Sequence, residues 1–166
     1  MPEAVDVLQD WHLRFGIEFA EGPVPVDLID NMLDLKSRTT CALCANEGLW
    51  RNSDVTRIIR SRAADYLCYS VYSVGSVRRF HTTAHAAHPK GLRVCKHTHG
   101  EFSIAAAAGQ HMMLAVPNAC DGNQQTAQFM ADDILKTSIP ITHEPNWGRL
   151  DGPGLGDEVD EVDEAR

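Results

Sequence analysis

Between Asn52 and Val74 the side chains Val55, Ile58, Ile59, Ala63, Tyr66, Leu67, Ser70, Val71 and Val74 recur at three- and four-residue steps. Arg57, Arg60, Arg62 and Asp65 occupy the other sides. Asn52, Ser53 and Asp54 offer N-cap groups at its start. A single apolar stripe on so long a helix has to be buried, and the strand-like runs on either side supply a sheet to bury it on. The expectation is an α/β domain with one long helix crossing a sheet.

The rest of the chain is read around that helix. Val5, Leu8, Trp11, His12, Phe15 and Phe19 predict a first helix over residues 3–20, stopped by Gly22, Pro23 and Pro25. Val26, Ile29, Met32 and Leu33 predict a second over 26–36. Thr39 to Ala45 reads as a strand, Asn46-Glu47-Gly48 as a tight turn and Leu49-Trp50-Arg51 as a short returning strand. After a loop or weak strand over 75–90, three strand-like runs follow over 92–99, 101–108 and 111–118. In the last two, Phe102, Ile104 and Ala106 alternate, then Met112, Leu114 and Val116, with Gly109 at a hairpin turn. A final helix is expected over 123–137. The predicted sheet is five-stranded and antiparallel, a hairpin and a three-strand meander joined by the long crossover helix.

Charge narrows the function classes. Of the formal −8, the last sixteen residues carry −6, from seven acids and Arg166, and the rest only −2. A near-neutral body lacks the basic face that nucleic acid requires. No run of eighteen apolar residues suits a bilayer span, and early acids at Glu3, Asp6 and Asp10 argue against a secretory leader. Five irregularly spaced cysteines fit reduced thiols in the cytoplasm better than a disulfide framework. The acidic end reads as a disordered tail.

Three constellations bear on chemistry. His97 and His99 would share one strand face and could share a metal, as in a cupin, but Ser103 and Ile104 stand where such a motif wants a carboxylate. Cys41 and Cys44 lie three apart, so on a strand they point to opposite faces and read as small buried hydrophobes. His81, His85 and His88 read as a polar loop cluster that titrates near pH 6.5 if it acts at all. No phosphate loop, nucleophile elbow or zinc-protease helix is present, so catalysis is not expected.

The element order and the run Leu92-Arg93-Val94-Cys95-Lys96-His97-Thr98-His99-Gly100-Glu101-Phe102-Ser103-Ile104-Ala105, continued by His111 to Asn118, resemble the Roadblock light-chain family. The resemblance covers roughly residues 26–118. It implies a profilin-like α+β fold over 26–140, with 1–25 a helical extension and 141–166 the tail. It also implies a non-catalytic scaffold without cofactors, which pairs with itself or another Roadblock subunit through Arg93, Cys95 and His97 on a strand and Tyr66, Tyr69 and Tyr72 on the helix. An open strand edge normally needs such covering, and tyrosines suit an interface. The implied partner is a dynein intermediate chain, in a cytoplasmic, cytoskeleton-associated setting; the alternatives are a small GTPase partner and a cupin-like metalloprotein.

Overall fold

A computed structural model describes residues 2–25, 29–137, 139 and 147–160. Four short strands, β1 (Phe19–Glu21), β2 (Ala42–Ala45), β3 (Tyr66–Tyr69) and β4 (Arg93–Lys96), form one sheet in sequence order. Every pairing is parallel. Helix α1 (Pro2–Phe15) precedes them. The crossovers are α2 (Ile29–Arg38), α3 (Asn52–Ser61), and α4 (Val71–Val74) with α5 (Val77–Ala87). Helix α6 (Ser103–Leu114) follows β4 and returns the chain for a further parallel bridge, Val94 to Ala119.

The sheet is therefore not the five-stranded antiparallel one expected from the sequence. Parallel strands covered by helices are apolar along their length and lose the alternation that marks an exposed face. Ala42-Leu43-Cys44-Ala45 and Tyr66-Leu67-Cys68-Tyr69 are such runs. The second was absorbed into the predicted long helix. That helix ends at Arg62, which adopts a left-handed conformation (φ 55°) and sends its N–H back to the Ile58 carbonyl. Arginine carries no sequence signal for this conformation, which glycine usually supplies.

The predicted strands over 101–108 and 111–118 are mostly the single helix α6. Ala105 to Ala108 are strong helix formers, and Gly109 lies inside the helix rather than in a turn. Its missing side chain has a use: a Cβ there would overlap the Lys96 side chain, standing 2.7 Å from Cδ. Over 123–137 the regular structure is one 3-10 turn, Ala127–Phe129. Described residues 147–160 turn back onto the body. Leu150 and Leu155 pack near Ala106, Ala107 and Leu135, and Leu135 bridges to Val159.

The two faces of the sheet differ in kind. Leu43, Ala45, Leu67, Tyr69 and Val94 point outward into a core shared with Leu35 of α2, Ile58 of α3, Phe80 of α5 and Met112 of α6. Cys44, Tyr66, Cys68, Cys95 and Cys120 point to the other face, with Phe19 and Ala42 beside them. Consecutive parallel strands with all the packed helices on one face make a section of barrel wall, not a doubly wound sheet. Among the described residues no helix is long and apolar enough to cross a membrane.

Candidate functional site

In folds of this type the loops after the strands' carboxyl ends hold the chemistry, and the amino ends hold stability. Here β1 ends at Glu21, β2 runs into Asn46 and Glu47, β3 into Ser70, and β4 into His97, Thr98 and His99. Glu21 accepts hydrogen bonds from the Asn46 amide and from Gln124 Nε2 at 3.2 Å, and faces His97 Nε2 at 3.6 Å. His97 Nδ1 lies 3.3 Å from His99 Nδ1, which lies 3.1 Å from Ser70 Oγ. Carboxylate, two imidazoles and a hydroxyl thus form one polar line across the sheet's mouth.

Local structure orients the line. Ser70 caps α4, its oxygen accepts from the amides of Tyr72 and Ser73, and the same oxygen shares a hydrogen bond with His99 Nδ1. Trp50 and Tyr72 flank the His99 ring at 5.9 and 5.6 Å. Partial burial, and then the neighbouring His97, hold its pKa below the usual 6.5.

The turn that carries His99 is fixed from beneath. Glu101 accepts the His99 N–H at 2.7 Å, the Thr98 hydroxyl at 2.5 Å and the Lys96 ammonium, with both charged side chains 2% exposed. Burial alone would raise the Glu101 pKa. The three donors outweigh it and bring the carboxyl down to about 2. Lys96 also donates to the Gln124 carbonyl at 3.0 Å. A cleft of about 730 Å³ passes Arg93, Met113, Cys120 and Trp147, but none of Glu21, Ser70, His97 or His99 lines it.

The six residues expected at a subunit contact do not share a surface. Tyr69 is fully buried and its hydroxyl donates to the Phe80 carbonyl, while Cys95 is buried on the opposite face. Tyr66 stacks on Phe19 on that same face. Arg93 lies at the amino end of β4, within 3.4 Å of the Tyr66 hydroxyl. Only His97 and Tyr72 stand at the sheet's mouth. Nor does β4 leave an open rim. Arg93 N and His97 N donate to Asp65 and Tyr69 on one side, and Val94 N donates to Asn118 on the other, where Cys120 N returns to Val94 O.

Glu21 went unrecognised in the sequence because the predicted first helix ran to residue 20. Its signal was a carboxylate immediately before Gly22-Pro23. By sequence alone Asn46 and Glu47 fit a tight turn and Gln124 a helix, so neither points to Glu21.

The enolase C-terminal domain-like family model matches residues 1–163. The chain belongs to that family. An N-succinyl-L-Arg/Lys racemase of Bacillus cereus is 31% identical over 95% of this chain and 45% of its own length. A D-galactonate dehydratase family member of Salmonella enteritidis is 25% identical over 92% of the chain and 36% of its own. The crystal structure of a Cytophaga hutchinsonii dipeptide epimerase, complexed with Mg and the dipeptide D-Ala-L-Val, superposes with a TM-score of 0.86 at 17% identity. That superposition covers 95% of this chain and 43% of the epimerase. The chain therefore spans less than half the length of these enolase-superfamily proteins, as a section of their TIM barrel.

Membership overturns the Roadblock resemblance, which rested on apolar patterns that parallel barrel strands share. The relatives are metabolic enzymes of small molecules. The expectations of a non-catalytic scaffold, of dynein or GTPase partners and of a cytoskeletal setting fall with it. So does the cupin-like alternative, since the strands of this sheet are parallel.

Proposed function

We propose that this chain carries the proton-transfer side of a barrel-mouth site for small molecules bearing a carboxylate, with His99 as the residue that exchanges the proton. The observation that carries this reading is the line Glu21–His97–His99–Ser70 at the strands' carboxyl ends. His99 keeps Nδ1 facing Ser70 and His97 and leaves Nε2 for the substrate. With the proton on Nδ1, the Nε2 lone pair takes the proton from the substrate carbon, and the imidazolium so formed returns it, while His97 stands between His99 and Glu21. Lys96 and Glu101 hold the turn rigid, which keeps the imidazole in place.

The relatives support the reaction class. N-succinyl-L-Arg/Lys racemisation and dipeptide epimerisation, the reactions two of these relatives are named for, both invert a carbon that bears a hydrogen beside a carboxyl-derived group. Histidine or lysine bases with Mg are the usual means in enolase-superfamily sites. Magnesium needs octahedral oxygen ligation. In this chain Asn46 and Gln124 turn their amide N–H groups toward Glu21. The converging group of three His, Cys, Asp or Glu ligand atoms among the described residues is made of sulfur. These residues do not by themselves fit a magnesium site.

The test is deuterium incorporation from heavy water into N-succinyl-L-arginine, D-galactonate and an alanyl dipeptide, followed by proton NMR with the whole chain. Exchange into at least one is expected, falling about a hundredfold or more in His99→Gln, the usual size of a general acid–base contribution. Exchange that survives His99→Gln, or none with the wild type, overturns the reading.

A further inference from the structure

The face of the sheet opposite the helices carries an unusual concentration of sulfur. Cys44, Cys68 and Cys95 come from three successive strands, one from each, and all three are 0% exposed. Cys68 and Cys95 are register partners across β3 and β4, and Cys44 pairs beside Tyr66, two residues before Cys68 on the same face. The three Sγ atoms lie within 4.8 Å of one another and none is in a disulfide. Cys41, by contrast, sits in the outer core with the aliphatic side chains. A barrel interior is ordinarily filled with branched aliphatics in layers. Here one layer is thiol.

We propose that Cys44, Cys68 and Cys95 form a three-coordinate thiolate site for a soft cation of the Cu(I) type. Three sulfurs around one ion at a bond length of about 2.3 Å stand about 4 Å apart in a planar arrangement. That separation is within the observed spread. Soft thiolates select Cu(I) and zinc among available metals. Zinc wants a fourth, tetrahedral ligand. Cys120, whose thiol hydrogen-bonds Cys95, also donates to the Val94 carbonyl at 3.1 Å and its sulfur lies outside the convergent trio. Three converging sulfurs, with the fourth thiol turned to a carbonyl, suit trigonal Cu(I).

Complete burial means that the ion enters as the sheet closes rather than through a channel. This site is separate from the His97–His99 line and does not depend on its chemistry.

The experiment uses the whole chain without a histidine tag, refolded anaerobically with one equivalent of Cu(I) and dialysed against a Cu(I) chelator. Retention of one ion per chain is expected, with an X-ray absorption spectrum fitted by three sulfur scatterers. Affinity by chelator competition should drop at least a hundredfold in Cys68→Ser and stay unchanged in Cys41→Ser. Failure to retain copper overturns the proposal, as do nitrogen scatterers from the histidines or equal affinity in Cys68→Ser. Should Cys68→Ser not fold, the wild-type spectrum alone decides between sulfur and nitrogen ligation.

Discussion

The two ends of the same parallel sheet are built for different purposes. At the amino end, Tyr66, Arg93, Phe19 and Glu18 stack and pair through an aromatic face, a cation over a ring and one phenol hydrogen bond to Glu18 at 2.9 Å. At the carboxyl end, Glu21, Ser70, His97 and His99 leave imidazoles facing each other above a buried ion pair. The amino end gains its contacts from side chains that are partly wet. The carboxyl end holds two charges out of water beneath the turn that carries His99. The lesson is that burial is concentrated under the turn where geometry has to be held.

Breaking the buried pair should have the largest effect. Lys96→Met leaves the Glu101 carboxylate buried without its cation, and stability in urea should fall by about 3–5 kcal/mol. Replacing both partners, Lys96→Met with Glu101→Leu, should recover much of that loss while the His99 turn loses its anchor. A double variant as unstable as the single one would show that the pair is not the unit.

Acid sharpens the contrast next. The folded Glu101 pKa of about 2 lies below its ordinary 4.5. Its contribution is therefore fully present above pH 4.5 and is lost as the pH falls toward 2. Over that window the change is about 3 kcal/mol at most, at 1.36 kcal/mol per pKa unit. Unfolding followed by circular dichroism should show this slope in the wild type and a flatter one in Glu101→Gln.

Arg93→Ala should cost less than about 1 kcal/mol, because its side chain is 49% exposed and its ion pair with Glu18 spans 3.8 Å. Deuterium exchange catalysed by the chain should be unchanged by it. A loss of exchange as large as that of His99→Gln would erase the distinction between the two ends.

The smallest effect concerns titration alone. Carbon-detected NMR should place the His99 midpoint below 6.5, and His97→Gln should raise it by removing a like charge. With a folded pKa below the unfolded one, this imidazole favours the folded state above pH 6.5 and loses that contribution as the pH falls.

How much of this could be read from the residues differs along the chain. Helices α1, α2 and the first ten residues of the central helix were legible, because Val55, Ile58 and Ile59 keep a helical period beside Arg57 and Arg60. Strand β3 was not, since Tyr66 and Leu67 continue that period by chance and only Arg62, in an unfavoured conformation, breaks it. Helix α6 was hidden by alternation at Phe102, Ile104 and Ala106, although four consecutive alanines spoke for a helix. His97 and His99 stood out by type, but their partner Glu21 lies 76 positions away and meets them only through parallel pairing. The one mark parallel order leaves, an unalternating apolar run as in Ala42–Ala45, is too short to distinguish from other buried segments, and so a barrel wall read as a meander.

The most direct test follows the imidazole and tyrosine signals together while a small carboxylic acid is titrated into the labelled chain. Shifts at His97 and His99 are expected with Tyr66 unmoved, and their disappearance in His99→Gln. Shifts centred on Tyr66 and Arg93, with both histidines silent, would contradict the role proposed for His99.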